Sequence, residues 1–175
     1  DINAHTNWLE SLSNIECVIH CASRAHVMKE KEDNPLNIYR IVNVEGTRNL
    51  AEQAAKAGVK RFVFISSIGV NGFCTNPGLH FSNQDIPAPV DDYAISKWEA
   101  EMELNKISMQ TGLEVVIIRP PLVYGPGVKG NFLRLLNLVA LGTPLPFGKI
   151  RNYRSFIGLD NLLDLIILCI NHPKA

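Results

Sequence analysis

Short β-branched runs alternate with longer amphipathic stretches along this chain, and no other feature constrains the fold as much. Glu16 to Cys21, Arg61 to Ser66 and Glu114 to Arg119 are apolar runs with the length and the Val/Ile content of buried strands. Between the first two, Ile38 to Ala57 carries Ile41, Val44, Leu50, Ala51, Ala54 and Ala55 at roughly helical spacing, and Gly58 is its stop signal. Between the second and third, Tyr93 to Thr111 reads as a helix ending before Gly112. Parallel neighbours need a crossover connection, and a helix is the compact one, so this order predicts an α/β fold with a parallel sheet. Pro120 and Pro121 stop the third strand. Beyond them the sequence predicts a turn from Tyr124 to Gly130, a helix from Phe132 to Leu141, a Pro-rich loop, a short extended piece from Ser155 to Ile157 and a helix from about Asn161 to Asn171.

Gly69 to Asp92 sustains neither period and is rich in Gly, Asn and Pro. A long loop leaving the carboxyl end of a strand is where an open α/β sheet binds its ligands.

Composition excludes several function classes. The 175 residues are 46% hydrophobic and 19% charged, which fits a globular chain with a real core. Seventeen Lys plus Arg balance seventeen Asp plus Glu, so no net positive field recruits nucleic acid or an anionic membrane surface. The most apolar stretch, Leu162 to Ile170, falls well short of the roughly 20 residues of a membrane span and is interrupted by Asp164. Cys17, Cys21, Cys74 and Cys169 lack the spacing of a zinc knuckle, and a fold this apolar needs no disulfides. The expectation is a reducing, cytoplasmic home and no metal. The chain opens on Asp1 rather than Met, with no signal-peptide pattern, and reads as beginning in mid-protein.

Tyr93 and Lys97 stand four residues apart, which on a helix puts them on one face as neighbours. A phenol has a pKa near ~10, and an ammonium within ~4–6 Å lowers it by ~1–3, toward the range of a general base. Such a pair alone also fits an ordinary surface helix. Ser66 and Ser67, at the carboxyl end of the preceding strand, add weight, because a hydroxyl there can orient a substrate oxygen toward the phenol.

With these motifs in order, the sequence resembles the extended short-chain dehydrogenase/reductase superfamily, in its NAD-dependent nucleotide-sugar epimerase and dehydratase branch. Val18 to Ser23 is similar to the fourth-strand motif of that family, and Asn43 to Leu50 to its next helix. Phe64 to Ser67, Tyr93 with Lys97, and Arg119 to Gly127 resemble its catalytic and nicotinamide segments. The resemblance implies the C-terminal half of a Rossmann-like, doubly wound parallel sheet over residues 1–127. Residues 128–175 would then begin a small substrate domain interleaved with the end of that sheet. It implies Ser67, Tyr93 and Lys97 as catalytic residues. It implies Asp1, Ile2, Cys21, Ala22, Ser23, Ser66, Tyr93, Lys97, Pro120 and Val123 along the NAD cofactor, with Lys97 on the ribose. On the substrate side it implies Ser67, Asn131 and Arg154, the last holding a diphosphate through its donor fork. Without the resemblance, Arg154 reads equally well as half of a surface ion pair. A homodimer built on the helices from Ile38 and from Tyr93 is implied when the protein is complete.

Departures from the family pattern sharpen the functional expectation. The glycine-rich nucleotide fingerprint and the first three strands are absent, and Asp1-Ile2 resembles the adenine-contacting pair that ends the third strand. In the family's strand order, 3-2-1-4-5-6, the absent first strand would pair with Val18 to His20. Leu122 stands where many sugar epimerases carry Asn, and Ser155 where an Asp commonly follows the phosphate-binding Arg. Dehydratases carry an Asp-Glu pair after the catalytic hydroxyl, whereas Ile68 and Gly69 follow Ser67 here. The resemblance therefore implies epimerisation of a UDP-hexose or UDP-N-acetylhexosamine, at C4, through a transient keto sugar. The alternatives are a reductase or dehydrogenase of a steroid-like or flavonoid-like alcohol and, in another class, a non-catalytic dinucleotide sensor.

Overall fold

A computed structural model describes residues 1–25, 34–128, 130–142, 144, 148–149 and 152–175. β1 (Cys17–His20), β2 (Arg61–Ile65) and β3 (Glu114–Ile118) form a parallel sheet in the order β1-β2-β3, with Val18 opposite Phe62 and Phe62 opposite Val115. The two crossovers run over helices, as the alternation predicts. This is a Rossmann-like arrangement, with helices on both faces of a parallel sheet.

The first crossover begins earlier than its apolar pattern, at α1 (Pro35–Tyr39). Asn34 caps it by accepting a hydrogen bond from Asn37 N at 3.3 Å, and Pro35 takes the first turn, where its missing N–H costs nothing. The helix then passes through a π-helical turn, Arg40–Glu45, before continuing as α2 (Gly46–Lys56). The expected uninterrupted helix from Ile38 to Ala57 is thus three segments, with the wide turn centred near Asn43. Gly58 (φ 82°) follows α2, and Gly112 (φ 76°) follows α3 (Asp92–Thr111), both in the left-handed region that lets a chain leave a helix sharply.

Alternation along β2 divides the core. Phe62 and Phe64 are fully buried against Leu50, Ala51, Ala54, Ala100, Leu104 and Ile107 of α2 and α3. Val63 points to the opposite face, where Val116 and Ile118 meet Leu162, Ile166 and Cys169 of α5 (Leu159–Asn171). The far end of α5 is tied down by Arg61. Its Nη1 donates to the carbonyl oxygens of Cys169 (2.8 Å), Ile170 (3.0 Å) and His172 (3.0 Å), while Nε and Nη2 bond Glu114 Oε2. A guanidinium there satisfies the carbonyls a helix C-terminus leaves unpaired and meets the negative end of its dipole.

Where the sequence predicts a turn opening at Tyr124, Leu122–Tyr124 is a strand, β4, paired in parallel with β5 (Phe156–Gly158). Between them α4 (Gly130–Ala140) stacks Phe132 against Tyr124 and Phe156, with ring centroids 6.1 and 5.4 Å apart. This small sheet and α5 interleave residues on both sides of position 127.

Candidate active site

Three segments converge at the carboxyl ends of β1 and β2. The first follows β1: Cys21 and Ala22 are exposed, and Ser23 is half-buried. Asn43, 1% exposed in the π-helical turn, pins this segment to α3. Its Oδ1 accepts from Arg24 N at 2.8 Å, and its Nδ2 donates to Arg24 O and to Ser96 Oγ, both at 3.0 Å. Ser96 Oγ in turn donates to Tyr93 O at 2.7 Å. The wide turn swings Asn43 into this bridge, an instance of a π-bulge serving a functional region.

The second segment opens α3. Asp91 caps it, accepting from Ala94 N at 2.8 Å, and this fixes where Tyr93 emerges. Tyr93 is half-buried, hydrogen-bonded to Ser23, and edge-on to Tyr39 with centroids 6.3 Å apart. Burial raises its pKa, the Ser23 hydrogen bond lowers it, and Asp91 and Tyr39 raise it further. Lys97, expected to depress it, is not among these groups. Lys97 is instead 1% exposed, with Nζ 4.0 Å from the centroid of the Phe64 ring. It donates no hydrogen bond to any described residue. Burial lowers its pKa to about 8, against the charges of Glu101 and Cys21, which hold it up.

The third segment is the end of β2. Ser67, half-buried and extended, accepts from Gly69 N at 3.1 Å and caps the 3₁₀ turn Ile68–Val70. Gly69 lets this turn lie close to α3, since a Cβ there would stand 3.3 Å from Ala94 Cβ. Ser66, expected along the cofactor, turns its hydroxyl inward to Glu101 Oε1 and is 3% exposed. His20 lies beneath, bonded to Thr47 Oγ1 at 2.9 Å and stacked on Phe64. Burial and the Lys97 charge lower its pKa to about 4, so it is neutral at physiological pH.

The remaining expected positions flank this centre. Ile2 packs on α2 so closely that a Cβ on Gly46 would lie 2.6 Å from Ile2 Cγ2, and Asp1 is exposed beside it. Pro120 is half-buried at the end of β3, accepting from Ile68 N at 3.1 Å, whereas Val123 packs its side chain into the core cluster on the α5 face. Asn131 and Arg154 are exposed, next to Phe132 and two residues before Phe156 of the aromatic stack, and no contact brings them to Tyr93. Among the described residues no cluster of three or more His, Cys, Asp or Glu could hold a metal, and no helix is long and apolar enough to cross a membrane.

A family model, the NAD dependent epimerase/dehydratase family, matches residues 1–175. The chain belongs to the NAD-dependent epimerase/dehydratase family. It is 56% identical to a UDP-glucose 4-epimerase of Vibrio cholerae over 100% of this chain and 54% of that protein. It is 35% identical to an N-acetyl-alpha-D-glucosaminyl-diphospho-ditrans,octacis-undecaprenol 4-epimerase of Escherichia coli O157:H7, over 76% of this chain and 40% of that protein. Among solved structures it is similar to the UDP-glucuronic acid 4-epimerase of Bacillus cereus in complex with UDP-glucuronic acid and NAD (TM-score 0.81, 25% identity, 99% of this chain and 55% of that one). The chain thus spans about half the length of the curated relatives it matches.

Sequence reasoning missed Asn43 and Glu101 as parts of this site. Glu101 had a signal, since it falls four residues after Lys97 on the same helix face. Asn43 opens the stretch that resembles the family's helix, but nothing in the helical pattern sets it apart, because a π-turn leaves no period there.

Proposed function

We propose that the whole protein is an NAD-dependent 4-epimerase of a UDP-hexose, with UDP-glucose as the first substrate to test. The observation that carries this reading is 56% identity, over every residue of the chain, to a UDP-glucose 4-epimerase. The site chemistry supports it. The residues fit a dinucleotide: the Lys97 ammonium is buried with three N–H donors and no acceptor among the described residues, as a group awaiting ribose hydroxyls would be. Cys21, Ala22 and Ser23 leave backbone accessible beside it, and Ile2 sits against α2 where the adenine end would rest. Bound NAD would supply the reversible hydride transfer that interconverts the sugar alcohol and its ketone.

In this reading Tyr93 takes the proton of the sugar hydroxyl and returns it to the opposite configuration. Ser67 donates a hydrogen bond to the reacting oxygen and holds it toward the phenol. Burial disfavours the phenolate, so Tyr93 needs a cationic group close by; Lys97, one helical turn on, takes that part only together with the cationic ring of a bound cofactor. Arg154 and Asn131 hold the nucleotide diphosphate from either side of the aromatic stack. Residues 1–127 serve the dinucleotide and 128–175 begin the substrate region. The finer parts of the proposal are a cytoplasmic enzyme, a homodimer through the outer faces of α2 and α3, and a supply of hexose for polysaccharide assembly. The four free cysteines fit a reducing compartment.

The test is direct. The whole protein, purified without added cofactor, is incubated with UDP-glucose and the products are separated by anion-exchange chromatography, with mass spectrometry of any nucleotide released on denaturation. UDP-galactose formation and released NAD are expected. Recovery of unchanged UDP-glucose, together with oxidation or reduction of a sterol or flavonoid alcohol, would overturn the reading.

A further inference from the structure

Beneath Ser67 and Lys97 lies a buried polar cluster that the proposed chemistry does not use. Glu101, one helical turn beyond Lys97, is 1% exposed. Its Oε1 accepts from Ser66 Oγ and from Arg119 Nε at 3.0 Å, and its Oε2 accepts from Arg119 Nη2. Arg119 Nη1 donates to Asn71 Oδ1 at 3.0 Å, and Asn71 Nδ2 donates to Ser82 O at 2.9 Å. One carboxylate and one guanidinium therefore join α3, the carboxyl ends of β2 and β3, and the loop that follows β2. Stability alone does not account for such a pair, because apolar side chains of similar volume would serve a core as well or better. Its members instead neighbour each implied catalytic group. Ser66 adjoins Ser67, and Glu101 shares a helix face with Lys97 and Tyr93. The backbone on either side of Ser67 is fastened to the same place, by Ser66 N to Ile118 O at 2.7 Å and Ile68 N to Pro120 O at 3.1 Å.

We propose that Glu101 and Arg119 are positioning residues, a buried clamp that sets the Ser67 end of β2 against the Tyr93 and Lys97 face of α3. The proposal rests on the epimerase reading for its kinetic arm only. Removing one partner leaves the other buried and unpaired, so single variants lose stability as well as geometry. The double variant Glu101→Leu/Arg119→Met separates the two effects by restoring an uncharged core while leaving Ser66 without its acceptor.

In the whole protein, Glu101→Gln, Arg119→Met and the double variant are compared with wild type by hydrogen–deuterium exchange, thermal melting and steady-state epimerase assay. Faster exchange across residues 66–71 is expected in all three. The double variant should melt near wild type, yet its kcat should fall about ten- to a hundredfold, the scale of an ångström-level misplacement of a reacting group. KM and bound NAD should stay within about twofold, since neither Glu101 nor Arg119 is among the residues proposed to hold NAD or the sugar nucleotide. Unchanged exchange at 66–71 overturns the clamp whatever the activity, and so does a double variant that melts and turns over like wild type. Should wild type itself leave UDP-glucose unchanged, the functional reading fails while the exchange data still decide the clamp.

Discussion

Lys97→Met should make the cofactor-free protein more stable. The Lys97 ammonium is 1% exposed, and its pKa is about 8 against an ordinary 10.5. At neutral pH that difference makes the charged side chain about 3 kcal/mol less favourable in the folded state than in the unfolded one. Methionine matches the stem in length and has no charge to desolvate. It forfeits the contact between the ammonium and the Phe64 ring, worth about 1 kcal/mol. The net gain is about 2 kcal/mol, a rise of a few degrees in Tm. Its pH dependence is distinctive. Below pH 8 the folded wild type bears the whole cost, because Lys97 is charged in both states. As pH rises from 8 toward 10.5 the unfolded chain binds a proton the folded one has released, so wild-type stability climbs and the gap closes. Urea unfolding of both proteins from pH 7 to pH 10, after removal of bound nucleotide, measures it. A Lys97→Met protein less stable than wild type at pH 7, or a gap that does not narrow above pH 8, refutes the account of an ammonium destabilised by burial.

Tyr93→Phe keeps the ring against Tyr39 and removes the proton acceptor together with its hydrogen bond to Ser23, so epimerase turnover should fall by about 10²–10⁴-fold in a steady-state assay. Arg154→Ala should weaken uridine diphosphate binding by about ten- to a hundredfold by calorimetric titration, because a charge-assisted hydrogen bond to phosphate is worth about 1.5–3 kcal/mol. NAD content should not change, and equal uridine diphosphate binding by both proteins would remove Arg154 from the substrate site. Gly46→Ala puts a methyl 2.6 Å from Ile2 Cγ2 and 3.2 Å from the Ile2 backbone, so it should cost about 1–3 kcal/mol in thermal unfolding and weaken NAD binding through the displaced 1–3 segment.

The strand and helix order could be read from the chain because it is written in local periodicity: Phe62, Val63 and Phe64 are apolar on both faces of β2, and Gly58 and Gly112 mark the ends of α2 and α3. The start of α1 was equally local, since Asn34 followed by Pro35 is an N-cap followed by a first-turn proline, although the apolar pattern drew attention further along. The places of Ser67, Tyr93 and Lys97 on their elements followed from order and spacing, and their roles from the resemblance to the family. Their surroundings did not. β4 is three residues long and is a strand only because Phe156–Gly158 lies beside it, a pairing no three-residue pattern announces. The Lys97 pKa is set by the depth of its burial under three converging segments, opposed by Glu101 and Cys21. Arg61 reads as an edge-of-strand cation until α5 brings the carbonyl oxygen of Cys169, 108 residues away, to 2.8 Å. Secondary structure here comes from side chains a few residues apart, which the sequence lists next to one another. Charge states and hydrogen-bond partners come from atoms a few ångströms apart, and only the packed chain decides which residues those are.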